Sequence, residues 1–274
     1  MTYKKQEETN KSSNKVTNQG EKPRKPIMKG AEPFFYRKGS VGCLLCHGFT
    51  GSPKEVRGMG EYLAERNITI LAPLLPGHGT TVKDMTQTTK KDWYTAYLKA
   101  YEQLQEICQE IFIAGLSMGG VLALKFAEEF EPEGVIVMAT PVRMKFPENI
   151  LLAIFAPLKW LTLPKKEEEL EDYPKLDLVS YDRNPIAPAN SLRKLMNEVR
   201  KKLGKITEPI IIFQGLEDEP WIIRSAKTIY DTVSSQTKKL VYLEQSPHCL
   251  TVGPEKNQVW EQVYQFIRNH STIL

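Results

Sequence analysis

Ser117 is the side chain whose surroundings most suggest covalent chemistry. It is the middle residue of Gly115-Leu116-Ser117-Met118-Gly119, a G-x-S-x-G pattern. The apolar run Ile111 to Ala114 precedes it, and the helix formers Leu122, Ala123, Leu124, Lys125, Phe126 and Ala127 follow. This order predicts a buried strand, a sharp turn and a helix, the setting that lifts a nucleophilic hydroxyl above a sheet. Glycines on either side leave no Cβ to collide with nearby backbone. The helix start supplies free N–H groups and a positive dipole end for a developing oxyanion. The plainer alternative is a glycine-rich turn whose serine merely caps the helix.

A serine hydroxyl is a weak nucleophile until a base takes its proton. The chain has four histidines. His47 directly follows an apolar strand and reads as a brace for its turn. His78 lies in a Pro-Gly-His-Gly loop and reads as structural, and His270 lies close to the chain terminus, where fraying is expected. His248 follows the last apolar strand, in Glu244-Gln245-Ser246-Pro247-His248, and is assigned as the base. Its acid partner should follow the preceding strand, in Gly215-Leu216-Glu217-Asp218-Glu219. Asp218 is assigned, with Glu217 and Glu219 as alternatives. The order Ser117, Asp218, His248 is the α/β-hydrolase order. An oxyanion hole needs two N–H donors, assigned to the backbones of Met118 and Phe49. Phe49 as a plain core aromatic is the competing reading.

The elements that must position these groups can be read in chain order. Continuous apolar runs near 41–46, 68–72, 111–114, 134–139, 209–213 and 239–243 read as strands buried on both faces. A short strand at Phe34-Phe35-Tyr36 precedes them. Ser52-Pro53-Lys54-Glu55 has the form of a capping box opening a helix to about Arg66. Thr89-Lys90-Lys91-Asp92 opens a second, with Trp93, Ala96, Tyr97, Ala100, Tyr101 and Leu104 at helical spacing. A final helix spans about 258–268. Strands alternating with helices predict a mostly parallel, doubly wound sheet.

The rhythm breaks between Ala139 and Pro209. A structureless connection that long is improbable, so the expectation is an inserted helical cap over the carboxyl ends of the strands, where ligands bind. It holds the apolar stretch 150–163, an acidic run from Glu167 to Asp172, and a basic helix from about Ser191 to Leu203. The expected division is an arm over 1–30, a core of 31–140 and 206–274, and a cap over 141–205. The apolar stretch reads either as an acyl-chain site or as packing against the sheet helices.

Several motifs resemble the bacterial monoacylglycerol lipases and related carboxylesterases of the α/β-hydrolase fold. They are Gly-Ala-Glu-Pro-Phe (30–34), His-Gly-Phe-Thr-Gly (47–51), Gly-His-Gly-Thr (77–80), Asp92-Trp93 and Gly-Leu-Ser-Met-Gly-Gly (115–120). The similarity is strong before Phe126, good around 209–251 and weak across the cap. The resemblance places the nucleophile on Ser117, the acid on Asp218, the base on His248 and the oxyanion donors on Phe49 and Met118. It implies hydrolysis of esters with a single acyl chain and no cofactor or metal. A thioesterase or lysophospholipase on the same triad is the alternative, and a non-catalytic binding module of the same fold a remote one. Glu219-Pro220-Trp221 departs from the valine-rich stretch that commonly follows the acid.

Composition narrows the remaining classes. The 274 residues carry a formal charge of +4, with 41% hydrophobic residues. Residues 1–30 hold eight Lys/Arg and three Glu, a charge of +5 that leaves −1 for the rest. A nearly neutral body gives no argument for nucleic acid, and the tail reads as a disordered basic arm capable of transient membrane-surface contact. The first thirty residues contain no apolar stretch of the kind a secretory signal needs. Four cysteines without a disulfide pattern fit a cytoplasmic setting. Cys43-Leu44-Leu45-Cys46 matches C-x-x-C, but on a strand its two thiols face opposite sides and cannot share a metal. Oligomeric state is not legible.

Overall fold

The computed structural model describes residues 26–167 and 175–274. The arm assigned to 1–30 therefore lies outside the described residues up to residue 25, as does most of the acidic run. Met28 to Gly30, counted with the arm, are tied down: the Met28 N–H donates to the Gly79 carbonyl at 2.7 Å.

In chain order the core elements are β1 (Phe34–Tyr36), β2 (Val41–Cys46), α1 (Lys54–Ala64), β3 (Thr69–Ala72), α2 (Val82–Met85), α3 (Lys90–Gln105), β4 (Glu110–Leu116), α4 (Met118–Ala127) and β5 (Gly134–Met138). The insertion follows with α5 (Glu148–Phe155), β6 (Thr162–Pro164), β7 (Arg183–Pro185) and α6 (Ile186–Arg200). The chain then returns through β8 (Ile210–Gly215), α7 (Pro220–Thr232), β9 (Lys238–Leu243) and α8 (Lys256–His270). Seven strands form one sheet in the order β1-β3-β2-β4-β5-β8-β9. β1 runs antiparallel to β3, and every other pair is parallel.

The two-residue period of a strand sorts side chains into two apolar layers. Leu44, Cys46, Ile111, Ile113, Val135, Val137, Ile210 and Ile212 pack with α3, α4, α6 and α7. Cys43, Leu45, Phe112, Ala114, Ile136, Met138, Ile211 and Phe213 pack with α1 and α8. The two thiols of C-x-x-C thus lie in opposite layers, and burial pushes both well above the ordinary thiol range.

The insertion is not wholly helical. β6 and β7 pair as an antiparallel ribbon, which three-residue strands give no periodicity to foretell. The helix expected from Ser191 begins at Ile186, because Pro188 in its first turn removes only an N–H that has no intrahelical partner. Leu192, Leu195, Met196 and Val199 of α6 join the layer beneath α4, whereas α5 buries none of its residues. Helix α7 has no counterpart in the sequence reading, although Pro220 at its start and buried Ile222, Ala226 and Ile229 are its signals. The C-terminal end is not frayed: the Thr272 N–H donates to Glu110 Oε1 at 2.9 Å, and His270 Nδ1 donates to the Phe266 carbonyl at 2.8 Å. No described helix is long and apolar enough to cross a membrane.

Candidate active site

The strand-to-helix turn at Ser117 takes the strained form the pattern predicts. Ser117 has φ 53° and ψ −114°, a region that costs a non-glycine residue about 1–3 kcal/mol. The turn is held because the Ser117 N–H donates to the Met138 carbonyl at 2.8 Å. Its glycines are obligatory: a Cβ on Gly115 would lie 2.1 Å from the Gly119 carbonyl carbon, and one on Gly119 would lie 2.2 Å from the Cys46 carbonyl oxygen. Ser117 precedes α4, yet its hydroxyl makes no capping hydrogen bond. The plain capping reading therefore has no support in the geometry.

His248 and Asp218 meet at the same sheet edge. The Nδ1–H of His248 donates to Asp218 Oδ2 at 2.8 Å. That oxygen also accepts from Gln214 Nε2 at 3.0 Å, and Oδ1 accepts from the Glu219 N–H at 2.7 Å. Burial would raise the Asp218 carboxyl. The His248 charge and hydrogen bond, with those from Gln214 and Glu219, outweigh it and hold the carboxyl below its ordinary range. The imidazole is about a third exposed (36%), while the carboxylate is nearly sealed (2%). Neither Glu217 nor Glu219 occupies this position, and Glu219 instead pairs with Lys166 of the insertion at 2.5 Å. The turn that carries His248 is fixed by Glu255, which accepts from the Gln245 N–H at 2.9 Å and the Ser246 hydroxyl at 2.6 Å.

The loop after β2 covers the serine. A Cβ on Gly48 would stand 3.5 Å from Ser117 Cβ. The Gly48 carbonyl accepts from His47 Nδ1 at 2.9 Å and from the Gly51 N–H at 3.3 Å. In a trans peptide the N–H points opposite to the carbonyl, so these bonds fix the direction of the Phe49 N–H. Among the described residues, neither the Phe49 nor the Met118 N–H has a protein acceptor. His47 serves as the expected brace: its Nε2 accepts the Leu75 N–H at 3.2 Å, and burial pushes its pKa down to about 4 against the Gly48 carbonyl bond. His78 is likewise buried, its Nδ1 on the Pro76 carbonyl at 3.2 Å. Both imidazoles stay neutral near pH 7, and both nitrogens of His47 are engaged by backbone groups.

Glu55 does something its sequence pattern concealed. The expected capping box does not form, and the Ser52 hydroxyl is buried without a partner. Glu55 turns inward instead, and its Oε2 accepts the Gly48 N–H at 2.7 Å. Burial lifts its carboxyl to about 7, opposed by the Gly48 N–H and by the charges of Lys165 and His248. Gln214 and Lys165 carry no signal in the sequence, because neither residue type is diagnostic without the contacts it makes.

Residues 40–255 match the family described as serine aminopeptidase, S33. The chain is 34% identical to the thermostable monoacylglycerol lipase of Bacillus sp. (strain H-257), covering 90% of this chain and 98% of that one. It is 30% identical to a carboxylesterase of Bacillus subtilis (strain 168), covering 86% and 96%. Among solved structures, one from the metagenome-derived lipolytic enzymes LipS and LipT superposes with a TM-score of 0.82 at 31% identity, covering 89% of this chain and all of that one. The monoacylglycerol lipase of Paleococcus ferrophilus, at 16% identity and TM-score 0.74, shares the fold. The chain therefore belongs to the serine aminopeptidase S33 family, in the monoacylglycerol lipase and carboxylesterase group of the α/β-hydrolases.

Proposed function

We propose that this enzyme hydrolyses single-acyl-chain esters, of the monoacylglycerol lipase or carboxylesterase type, through Ser117, His248 and Asp218. The observation that carries the reading is the elbow. A serine held at φ 53°, its hydroxyl unused as a cap, shares a sheet edge with an imidazole oriented by a buried carboxylate.

In this mechanism Nε2 of His248 takes the Ser117 proton as Oγ attacks the ester carbonyl. Asp218 holds the proton on Nδ1 and stabilises the imidazolium that forms. The Phe49 and Met118 N–H groups receive the oxyanion, where fixed dipoles act at full strength because they need no reorganisation. His248 then protonates the leaving alcohol, and water activated by the same imidazole releases the acid from the acyl-enzyme.

The insertion favours a substrate with an acyl chain. Ile150, Leu151, Ile154, Leu158, Trp160 and Leu163 are all exposed there, an apolar surface of the kind that marks a site for apolar partners. Ser117→Ala should abolish turnover of p-nitrophenyl esters while the fold survives, and retained turnover would end this reading. A chain-length series that includes 1-monoacylglycerol, acyl-CoA and lysolipid then separates ester, thioester and lysophospholipid preference.

A further inference from the structure

The loop that carries Phe49 is gripped from two sides by groups the mechanism above does not use. From beneath, Glu55 on the first turn of α1 accepts the Gly48 N–H, and the Thr251 hydroxyl holds the Glu55 carbonyl at 2.6 Å. Gly51 completes the cradle: a Cβ there would lie 1.9 Å from Glu55 Oε1. From above, the insertion reaches the loop through a relay. Lys165 Nζ donates to Ser180 Oγ at 2.7 Å, and Ser180 Oγ donates to the Thr50 carbonyl at 3.0 Å. The Tyr181 N–H reaches the same carbonyl at 3.3 Å. Thr50 itself sits at φ 62°, a conformation that needs such support.

Charge makes this arrangement informative. A carboxylate next to an oxyanion site opposes the negative charge that develops there, and a buried one is expensive unless paired. Glu55 is buried (3% exposed), as is Lys165 (6%), and the positive charge of Lys165 acts on Glu55. That positive charge offsets part of the negative charge that a carboxylate holding the loop brings close to Ser117.

Building on the assignment of Phe49 as an oxyanion donor, we propose that Glu55 is a positioning residue for the oxyanion loop and that Lys165, delivered by the insertion, is its counter-charge. Seating of the insertion and the aim of the Phe49 N–H are then one coupled event. A substrate that displaces the insertion alters the oxyanion hole as well as access to it.

The test uses the full chain and a short p-nitrophenyl ester, so that cap contacts with a long chain do not enter. Glu55→Met fills the space without an acceptor, and Glu55→Gln keeps an amide oxygen that can accept from Gly48. Loss of one oxyanion donor costs about 10²–10³ in kcat, and a misaimed donor costs part of that. Glu55→Met should therefore lower kcat about 10- to 100-fold with KM within twofold, and Glu55→Gln should recover kcat to within about threefold of wild type. Glu55→Gln and Lys165→Met combined should be non-additive, because neither partner keeps a charge to neutralise. Wild-type kcat in Glu55→Met, an equal fall in Glu55→Gln, or additive effects of the charge-removing pair would each overturn the proposal. Should Glu55→Met fail to fold, the Glu55→Gln and Lys165→Met cycle still decides. Ser117→Ala run in parallel separates the two layers of argument: an active Ser117→Ala defeats the mechanism, whereas an inactive one beside an unaffected Glu55→Met defeats only this inference.

Discussion

Replacing Asp218 with asparagine tests the role of the buried carboxylate with almost no change in volume. Asp218 Oδ2 accepts from His248 Nδ1 and Gln214 Nε2, and Oδ1 accepts from the Glu219 N–H. Three donors converge on two oxygens, and an amide offers only one. If the amide oxygen faces His248, its NH₂ meets the fixed backbone N–H of Glu219 across what was a 2.7 Å bond. If it faces Glu219, the NH₂ meets Gln214 at what was 3.0 Å and donates to Nδ1, provided His248 moves its own proton to Nε2. A side chain yields more readily than backbone, so the second arrangement is favoured, and the imidazole then presents a hydrogen rather than a lone pair to Ser117. The substitution also removes the charge that stabilises the imidazolium. Together these should lower kcat about 10⁴-fold, equivalent to about 5.5 kcal/mol of barrier. Initial rates on a p-nitrophenyl ester at about pH 8, with a thermal melt to show a retained fold, provide the measurement. A well-folded Asp218→Asn enzyme within tenfold of wild type would refute the reasoning, and the acid would have to be sought elsewhere.

Gly119→Ala should cost about 3–4 kcal/mol, because its Cβ would meet the Cys46 carbonyl, backbone against backbone, with no rotamer to relieve it. A melting temperature lowered by about 10 °C, or loss of folded protein, is the expected reading; an unchanged melt would show that the elbow is slacker than described. The pH dependence of stability carries two opposed contributions. His47, at about 4 when folded, leaves the unfolded chain binding the extra proton below its ordinary 6.5, so stability falls as pH drops from 6.5 to 4. Glu55, at about 7 against an ordinary 4.5, makes the folded chain the better proton binder, so its contribution is present below 4.5 and lost as pH rises through 7. Each spans about 3 kcal/mol, and they largely offset. Glu55→Gln removes one side of the balance. Between about pH 8 and pH 4 it should lose about 3 kcal/mol relative to wild type, read from urea midpoints, and parallel curves would contradict the assignment.

The parts of the site that were legible are those with a local signature. G-x-S-x-G between an apolar run and a helix former series gave the elbow, because the backbone geometry demands those glycines. The helix start at Thr89–Asp92 forms as expected, and there Asp92 Oδ2 accepts the Thr89 N–H at 2.8 Å. Ser52–Glu55 has the same local grammar, yet tertiary competition won: Glu55 takes the buried Gly48 N–H, an unsatisfied donor without it, and the buried Ser52 hydroxyl is left without a partner instead. Nothing local distinguishes the two helix starts. Gln214 has no local signature for a similar reason, since a glutamine ending a strand is ordinary apart from the contacts of its amide with the Gly215 carbonyl and Asp218. The ribbon of β6 and β7 pairs residues about twenty apart across the insertion, a contact that no period along the chain encodes.

The insertion is fastened around the site by polar ties of unequal kind. Lys54 with Asp177 and Lys166 with Glu219, each at 2.5 Å, are open to solvent, while the Lys165–Ser180–Thr50 relay is sheltered. Dissolved salt weakens the first two and scarcely touches the third. Ionic strength thus becomes a selective dial on this molecule. It slackens the outer ties of the segment between β5 and β8 while the sheltered relay to Thr50, and the two apolar layers of the sheet, keep their hold.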